Sequence, residues 1–230
     1  MTSPQNVTFP SNGRTAHGYL AVPEAGDGPG LIIIQEWWGL DDHIVDVADR
    51  FAREGFVALA PDLYDGQVTH DEQEAIRLMQ QLPPAQAVAD LSGAVDYLLG
   101  QPQAIGDAVG VVGFCFGGGF VLRLAARAGA KVAAAVVFYG AVNPGEDLSG
   151  IRAAVQGHFG EQDQSIPPQR AREELDQIRQ QTGVPVEVYS YDAGHAFAND
   201  LNLIGTHDPD ATELAWARSL HFLRTHLAAG

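Results

Sequence analysis

The chain has 230 residues and carries 29 acidic side chains against 13 lysines and arginines, a formal net charge of -16. That length suits one α/β domain with a full core and is short for two. The charge argues against nucleic acid or anionic membrane as a partner, since both recruit clustered cations. A single cysteine, Cys115, leaves no internal disulfide and no Cys-x-x-Cys redox or zinc pair. Lys131 is the only lysine; a GC-rich genome or adaptation to high salt would each give that composition. No apolar run approaches the roughly 20 residues of a membrane span, and the first residues lack the regions of a signal peptide. The expectation is a cytoplasmic protein, residues 1–230 forming a single domain, either monomer or homodimer.

Residues 7–9 and 15–22 read as two edge strands, the second ending at Pro23. Leu31-Ile32-Ile33-Ile34 is a continuous aliphatic run, the pattern of a strand buried on both faces of a parallel sheet. Asp41 can cap a helix with Ile44, Val45, Ala48 and Phe51 on its apolar face, and Gly55 ends it. A strand follows at 56–60, stopped by Pro61, then helices near 71–81 and 85–99. Residues 109–112 read as a short buried strand leading through a glycine-flanked turn into a helix over 117–127. Strands at 133–138, 153–159 and 186–191 alternate with helices near 168–180 and 211–227. Such alternation predicts right-handed βαβ units and a doubly wound, mainly parallel sheet flanked by helices, with an antiparallel N-terminal edge.

Reactive groups in such sheets gather at the carboxyl ends of the strands. Gly113-Phe114-Cys115-Phe116-Gly117 fits a sharp strand-to-helix turn that lifts a nucleophile clear of the sheet. Its thiol would sit at a helix N-terminus, where the dipole favours a thiolate and the Phe116 N–H can serve an oxyanion. Asp163 follows the strand at 153–159, and His195 follows the strand at 186–191. Nucleophile, acid and base in that order match the α/β-hydrolase arrangement: His195 handles the thiol proton, and Asp163 fixes its tautomer. His158 is the nearest rival base, and Asp192 and Glu161 are rival acids. His158 precedes Asp163 by too little for the usual order, and Asp192 is better placed to shape the His195 turn. The second oxyanion donor falls to the loop after the third strand, at the Trp37 N–H.

These residues, with Gln35-Glu36-Trp37-Trp38-Gly39, Ala60-Pro61-Asp62-Leu63-Tyr64 and Phe138-Tyr139-Gly140, resemble the dienelactone hydrolase family along most of the chain. The resemblance implies a compact α/β-hydrolase without a large lid, using no metal and no cofactor, with a Cys115-Asp163-His195 triad. It also implies that Glu36 contacts the resting thiol and gates thiolate formation. The family holds its substrate carboxylate with two arginines, and the matching positions here are Asn199 and Glu72, with Arg77 one to two turns along. A desolvated carboxylate without a cationic clamp would cost several kcal/mol.

The expected substrate is therefore a small neutral or apolar ester or lactone. Trp38, Tyr64, Tyr139, Phe197 and Asn199 are the candidate pocket residues beside Trp37 and Phe116. The expected chemistry is thiolate attack, a thioester acyl-enzyme and its hydrolysis. The alternatives are a carboxymethylenebutenolidase acting on dienelactone proper and a promiscuous aryl-ester or phosphotriester hydrolase. The full constellation speaks against a non-catalytic binding protein on the same scaffold.

Overall fold

The computed structural model describes residues 3–227, which divide into two compact units, 3–109 and 110–227. In the first unit the strands are β1 (Val7–Ser11), β2 (Arg14–Ala21), β3 (Gly28–Ile34) and β4 (Val57–Pro61). They lie in the order β1-β2-β4-β3. The β1/β2 and β2/β4 pairs are antiparallel and the β3/β4 pair is parallel. The second strand is thus not an edge, contrary to expectation. Gly18 opposes Pro61 in the β2/β4 register, and a Cβ at Gly18 would stand 2.8 Å from the Ala60 carbonyl oxygen. The absent side chain lets the two strands approach.

Leu31 to Ile34 are wholly buried, each worth about 1.5–3 kcal/mol against exposure. That burial marks β3 as a strand covered on both faces. Helix α1 (Asp42–Arg53) is capped by Asp41, whose side chain accepts from Ile44 N, and α2 (Glu72–Gln81) is capped by Asp71 in the same way. Helix α3 (Pro84–Leu99) begins on a proline, whose fixed φ and missing N–H suit the first turn.

Strand β5 (Ala104–Phe114) starts in the first unit and ends in the second. It is longer than the apolar run 109–112 because Gly106, at φ +97°, and Asp107 continue the strand despite poor propensity. The second unit continues with α4 (Phe116–Ala128), β6 (Val132–Phe138), β7 (Ala154–Gly160), α5 (Pro168–Thr182), β8 (Val186–Tyr191) and α6 (Pro209–Leu227). Strands β6, β7 and β8 pair in parallel. Helices α4 and α6 pack on β6, and α5 packs on β7 and β8. The carboxyl ends of β5, β6, β7 and β8 deliver the turns that carry Cys115, Tyr139, Asp163 and His195. Among the described residues, no helix is long and apolar enough to cross a membrane.

Candidate active site

Cys115 sits between the end of β5 and the first residue of α4, with φ 52° and ψ -116°. A non-glycine residue in that region is strained, and the surroundings hold it there. Cys115 N donates to the Phe138 carbonyl at 3.0 Å, and Gly118 N donates to the Cys115 carbonyl at 3.0 Å. A Cβ at Gly113 would meet the Gly117 oxygen at 2.6 Å, and one at Gly140 would meet the Cys115 oxygen at 2.7 Å. The glycines around this turn are thus steric requirements of the β5-to-α4 bend and of the β6 turn packed beneath it.

The structure brings Cys115, His195 and Asp163 together. His195 Nε2 lies 3.1 Å from Cys115 Sγ, and His195 Nδ1 lies 2.7 Å from Asp163 Oδ2. The second Asp163 oxygen accepts from Ser165 N at 2.7 Å and Ile166 N at 2.9 Å, which fixes the carboxylate plane. Asp163 is buried and the imidazole keeps a narrow exposed edge. Desolvation alone would depress the imidazolium. The bonds to Asp163 and to Cys115, with the charges of both, outweigh it and push the His195 pKa up to about 10.

The loop behind His195 is held from two sides. Ala196 adopts φ 57°. The Phe197 carbonyl accepts from Asp208 N at 3.0 Å and from Thr212 Oγ1 at 2.8 Å, tying the loop to the start of α6. Tyr139, itself at φ 39°, sets its ring edge against the imidazole with centroids 5.3 Å apart. Its strained backbone and its contact with His195 carry no signal in the sequence.

The other residues singled out from sequence fall as follows. Phe116 is half-buried at the first position of α4, and Tyr139, Phe197 and Asn199 are buried in the second unit. In the first unit, Glu36, Trp38 and Tyr64 are buried and Trp37 is half-buried, its ring 4.8 Å from that of Trp38. The two family blocks there are joined by a bond from Leu63 N to Gln35 Oε1 at 3.1 Å. Arg77 is engaged on the surface of α2 with Glu74 at 2.7 Å and Gln81 at 2.6 Å. Glu72 opens α2.

The rivals lie elsewhere. Asp192 accepts from Gln162 Nε2 at 2.7 Å in an exposed turn. Glu161 is exposed at the turn after β7. His158 is fully buried, with Nδ1 against Tyr191 OH and Nε2 between Gln156 and Ser219. Among the described residues no cluster of three or more His, Cys, Asp or Glu forms a metal-binding group.

A strained cysteine at a strand-to-helix turn, with histidine and aspartate on later strand-end loops, belongs to the α/β-hydrolases. The model of the dienelactone hydrolase family matches residues 16–227, and the chain belongs to that family. It is 32% identical to "Protein usf" of Aquifex pyrophilus over 231 residues, covering 97% of this chain and 99% of that one. It is also 32% identical over 241 residues to a Synechocystis protein named "Putative carboxymethylenebutenolidase", covering 96% of each. A solved dienelactone hydrolase-like promiscuous phosphotriesterase from metagenomic libraries superposes with a TM-score of 0.86 at 27% identity, over 96% of this chain and 97% of that one. The protein is a dienelactone hydrolase-like hydrolase.

Proposed function

We propose that the chain hydrolyses small neutral esters or lactones through Cys115, His195 and Asp163. The observation that carries this reading is the continuous contact from Sγ through the imidazole to the buried carboxylate, at 3.1 and 2.7 Å. His195, with its pKa raised to about 10, takes the Sγ proton through Nε2, giving a thiolate beside imidazolium. The thiolate attacks the carbonyl carbon, and the oxyanion falls to the amide at the N-terminus of α4. As the tetrahedral intermediate collapses, the C–O bond breaks and the leaving alkoxide takes the Nε2 proton, leaving a thioester on Cys115. The neutral imidazole then takes a proton from water, and the resulting hydroxide attacks the thioester. Thiolate departs, the acid is released, and imidazolium is restored. The family resemblance adds Glu36 and the Trp37 amide to this scheme, and Glu36→Gln tests the first.

A neutral substrate follows from the cations. The position where the family carries an arginine after the histidine is Asn199, and Arg77 is already paired on α2. The experiment is steady-state turnover of p-nitrophenyl acetate and of a dienelactone by wild type and Cys115→Ala. Loss of ester turnover in the variant, with weak wild-type lactone turnover, is expected. Full retention by Cys115→Ala overturns the mechanism, and efficient lactone turnover overturns the substrate argument.

The phosphotriesterase activity named for one structural neighbour favours a second reading, in which the same thiolate attacks an aryl phosphotriester. A stoichiometric burst of aryl alcohol would report it.

A further inference from the structure

Beneath the candidate site lies a second hydrogen-bond network that the proposed chemistry does not use. His158, on β7, is wholly buried. Its Nδ1 is 2.7 Å from Tyr191 OH, and its Nε2 is 2.9 Å from Gln156 Oε1 and 3.0 Å from Ser219 Oγ.

The proton positions follow from the neighbours. Arg218 NH1 donates to Tyr191 OH at 3.1 Å, so the hydroxyl accepts there and directs its own proton at His158 Nδ1. The proton of His158 therefore resides on Nε2 and points at Gln156 Oε1. Gln156 Nε2 donates to Glu187 at 2.8 Å, which fixes the amide orientation. Ser219 gives its own proton to the Ala215 carbonyl, so it too accepts from Nε2. Arg218 also lies over the Tyr189 ring at 4.2 Å and the Tyr191 ring at 5.5 Å. Phe138 packs on the imidazole with centroids 4.6 Å apart. Every polar atom of the histidine and of the hydroxyl has a role, from β7, β8 and α6 together.

The backbone of the same two residues reaches the site. The Tyr191 carbonyl accepts from Glu161 N at 2.7 Å and from Ala193 N at 2.8 Å. Glu161 opens the loop that carries Asp163, and Ala193 opens the loop that carries His195. Gln162 N bonds to the Ala193 carbonyl at 3.0 Å, closing a small ring of main-chain contacts between the two loops. The His158 carbonyl meanwhile accepts from Tyr139 N at 2.8 Å, and Tyr139 is the ring that seats His195.

We propose that Tyr191, locked by His158 and Arg218, is a positioning residue that sets the spacing of the loops carrying Asp163 and His195. The proposal rests on the hydrolase reading above. A tilt of Tyr191 moves one oxygen that both loops share, and so changes the Asp163–His195 bond rather than the access of substrate.

The test is Tyr191→Phe, which keeps the ring and removes the hydroxyl. One readout is the pH dependence of Cys115 alkylation by iodoacetamide. The others are kcat and KM for p-nitrophenyl acetate and the melting temperature. The expected result is an alkylation limb displaced to higher pH by about 1 unit, since a weaker Asp163 contact gives a less stable imidazolium. In parallel, kcat falls roughly tenfold with KM within twofold of wild type. Arg218→Gln, which removes the donor from half-buried Arg218, should give a smaller displacement in the same direction if Tyr191→Phe does not fold. An alkylation profile that superposes on wild type in a folded variant overturns the proposal, whatever happens to the melting temperature. Alkylation needs no ester turnover, so a shifted profile in a protein inert to esters would overturn the hydrolase reading and leave this one standing.

Discussion

One histidine lies in the loop after β8 and another within the neighbouring β7, and the protein drives them in opposite directions. His195 is pushed up to about 10 and His158 down to about 3. Both are desolvated, which by itself lowers a histidine. His195 faces a carboxylate and a thiol that can carry negative charge. His158 faces a phenol, an amide and a serine hydroxyl, with the Arg218 charge beyond them. Burial therefore does not distinguish the proposed acid–base histidine from the structural one. The charge on its partners does, and moving one carboxylate should move the role.

Removing the carboxylate from the first histidine has the largest expected effect. Asp163→Asn weakens the bond that does most to offset the desolvation of His195 and admits the wrong imidazole tautomer. We expect kcat for p-nitrophenyl acetate to fall by roughly 100- to 10,000-fold. The His195 titration, followed by NMR of the ring Cε1–H, should move down from about 10. A variant whose histidine still titrates there would show that Cys115 alone holds the proton, and the comparison would fail.

The converse change gives the second histidine a carboxylate. Gln156→Glu combined with Glu187→Gln places the charge 2.9 Å from His158 Nε2 and removes the like charge beside it. The His158 pKa should rise from about 3 towards neutrality. Two charges then lie in the core with Tyr191 OH facing a second donor, at a cost of about 2–4 kcal/mol of stability. A titration unchanged from wild type in a folded variant would sink the partner-charge rule.

The two histidines also set opposite limbs of stability against pH. His195 has a raised folded pKa, so its contribution is complete below about 6.5 and is lost as pH rises towards about 10. His158 has a depressed one, so its contribution is complete above about 6.5 and is lost as pH falls towards about 3. Urea midpoints should peak between about pH 6 and 7. In Asp163→Asn the alkaline limb should flatten while the acid limb persists.

Much of this unit was legible in the sequence for simple reasons. An aliphatic run marks β6 because a sheet covered by helices buries both faces of its inner strands, while β8 shows itself by alternation of apolar and polar residues. Cys115, Asp163 and His195 stand out because each is a reactive type just past a strand, in the order used by α/β-hydrolases. The second network was not legible. His158 meets Tyr191 across 33 positions and Ser219 across 61, separations that no local sequence pattern signals. The central place of β2 was hidden as well. Residues 14–21 alternate as an edge strand does, and only the pairing with β4 removes the edge. The extent of β5 was not legible because Gly106 and Asp107 have poor strand propensity yet lie within the strand.

The smallest effect concerns a carboxylate that burial has overtaken. Glu174, on α5, turns both oxygens to Val142 N at 3.3 and 3.2 Å, while Arg170 on the same helix donates to the Val142 carbonyl at 2.9 Å. Desolvation raises the Glu174 pKa to about 7, against the Val142 bond and the charges of Arg170 and Arg123, with Glu146 adding to the rise. A carboxyl raised in the fold stabilises fully below about 4.5 and loses that contribution as pH climbs through 7. Arg123 is already committed to Glu146, so it compensates Glu174 only in part. Glu174→Gln keeps one acceptor for Val142 N and removes the charge. At pH 8 it should raise the melting temperature by about 3–6 °C, corresponding to roughly 1–2 kcal/mol in a chain of this length. At pH 5 it should change little. A fall of similar size at both values would mean that the bond to Val142 outweighs the buried charge. Partner geometry, rather than partner charge, would then govern this site, and the contrast drawn from the two histidines would not extend to it.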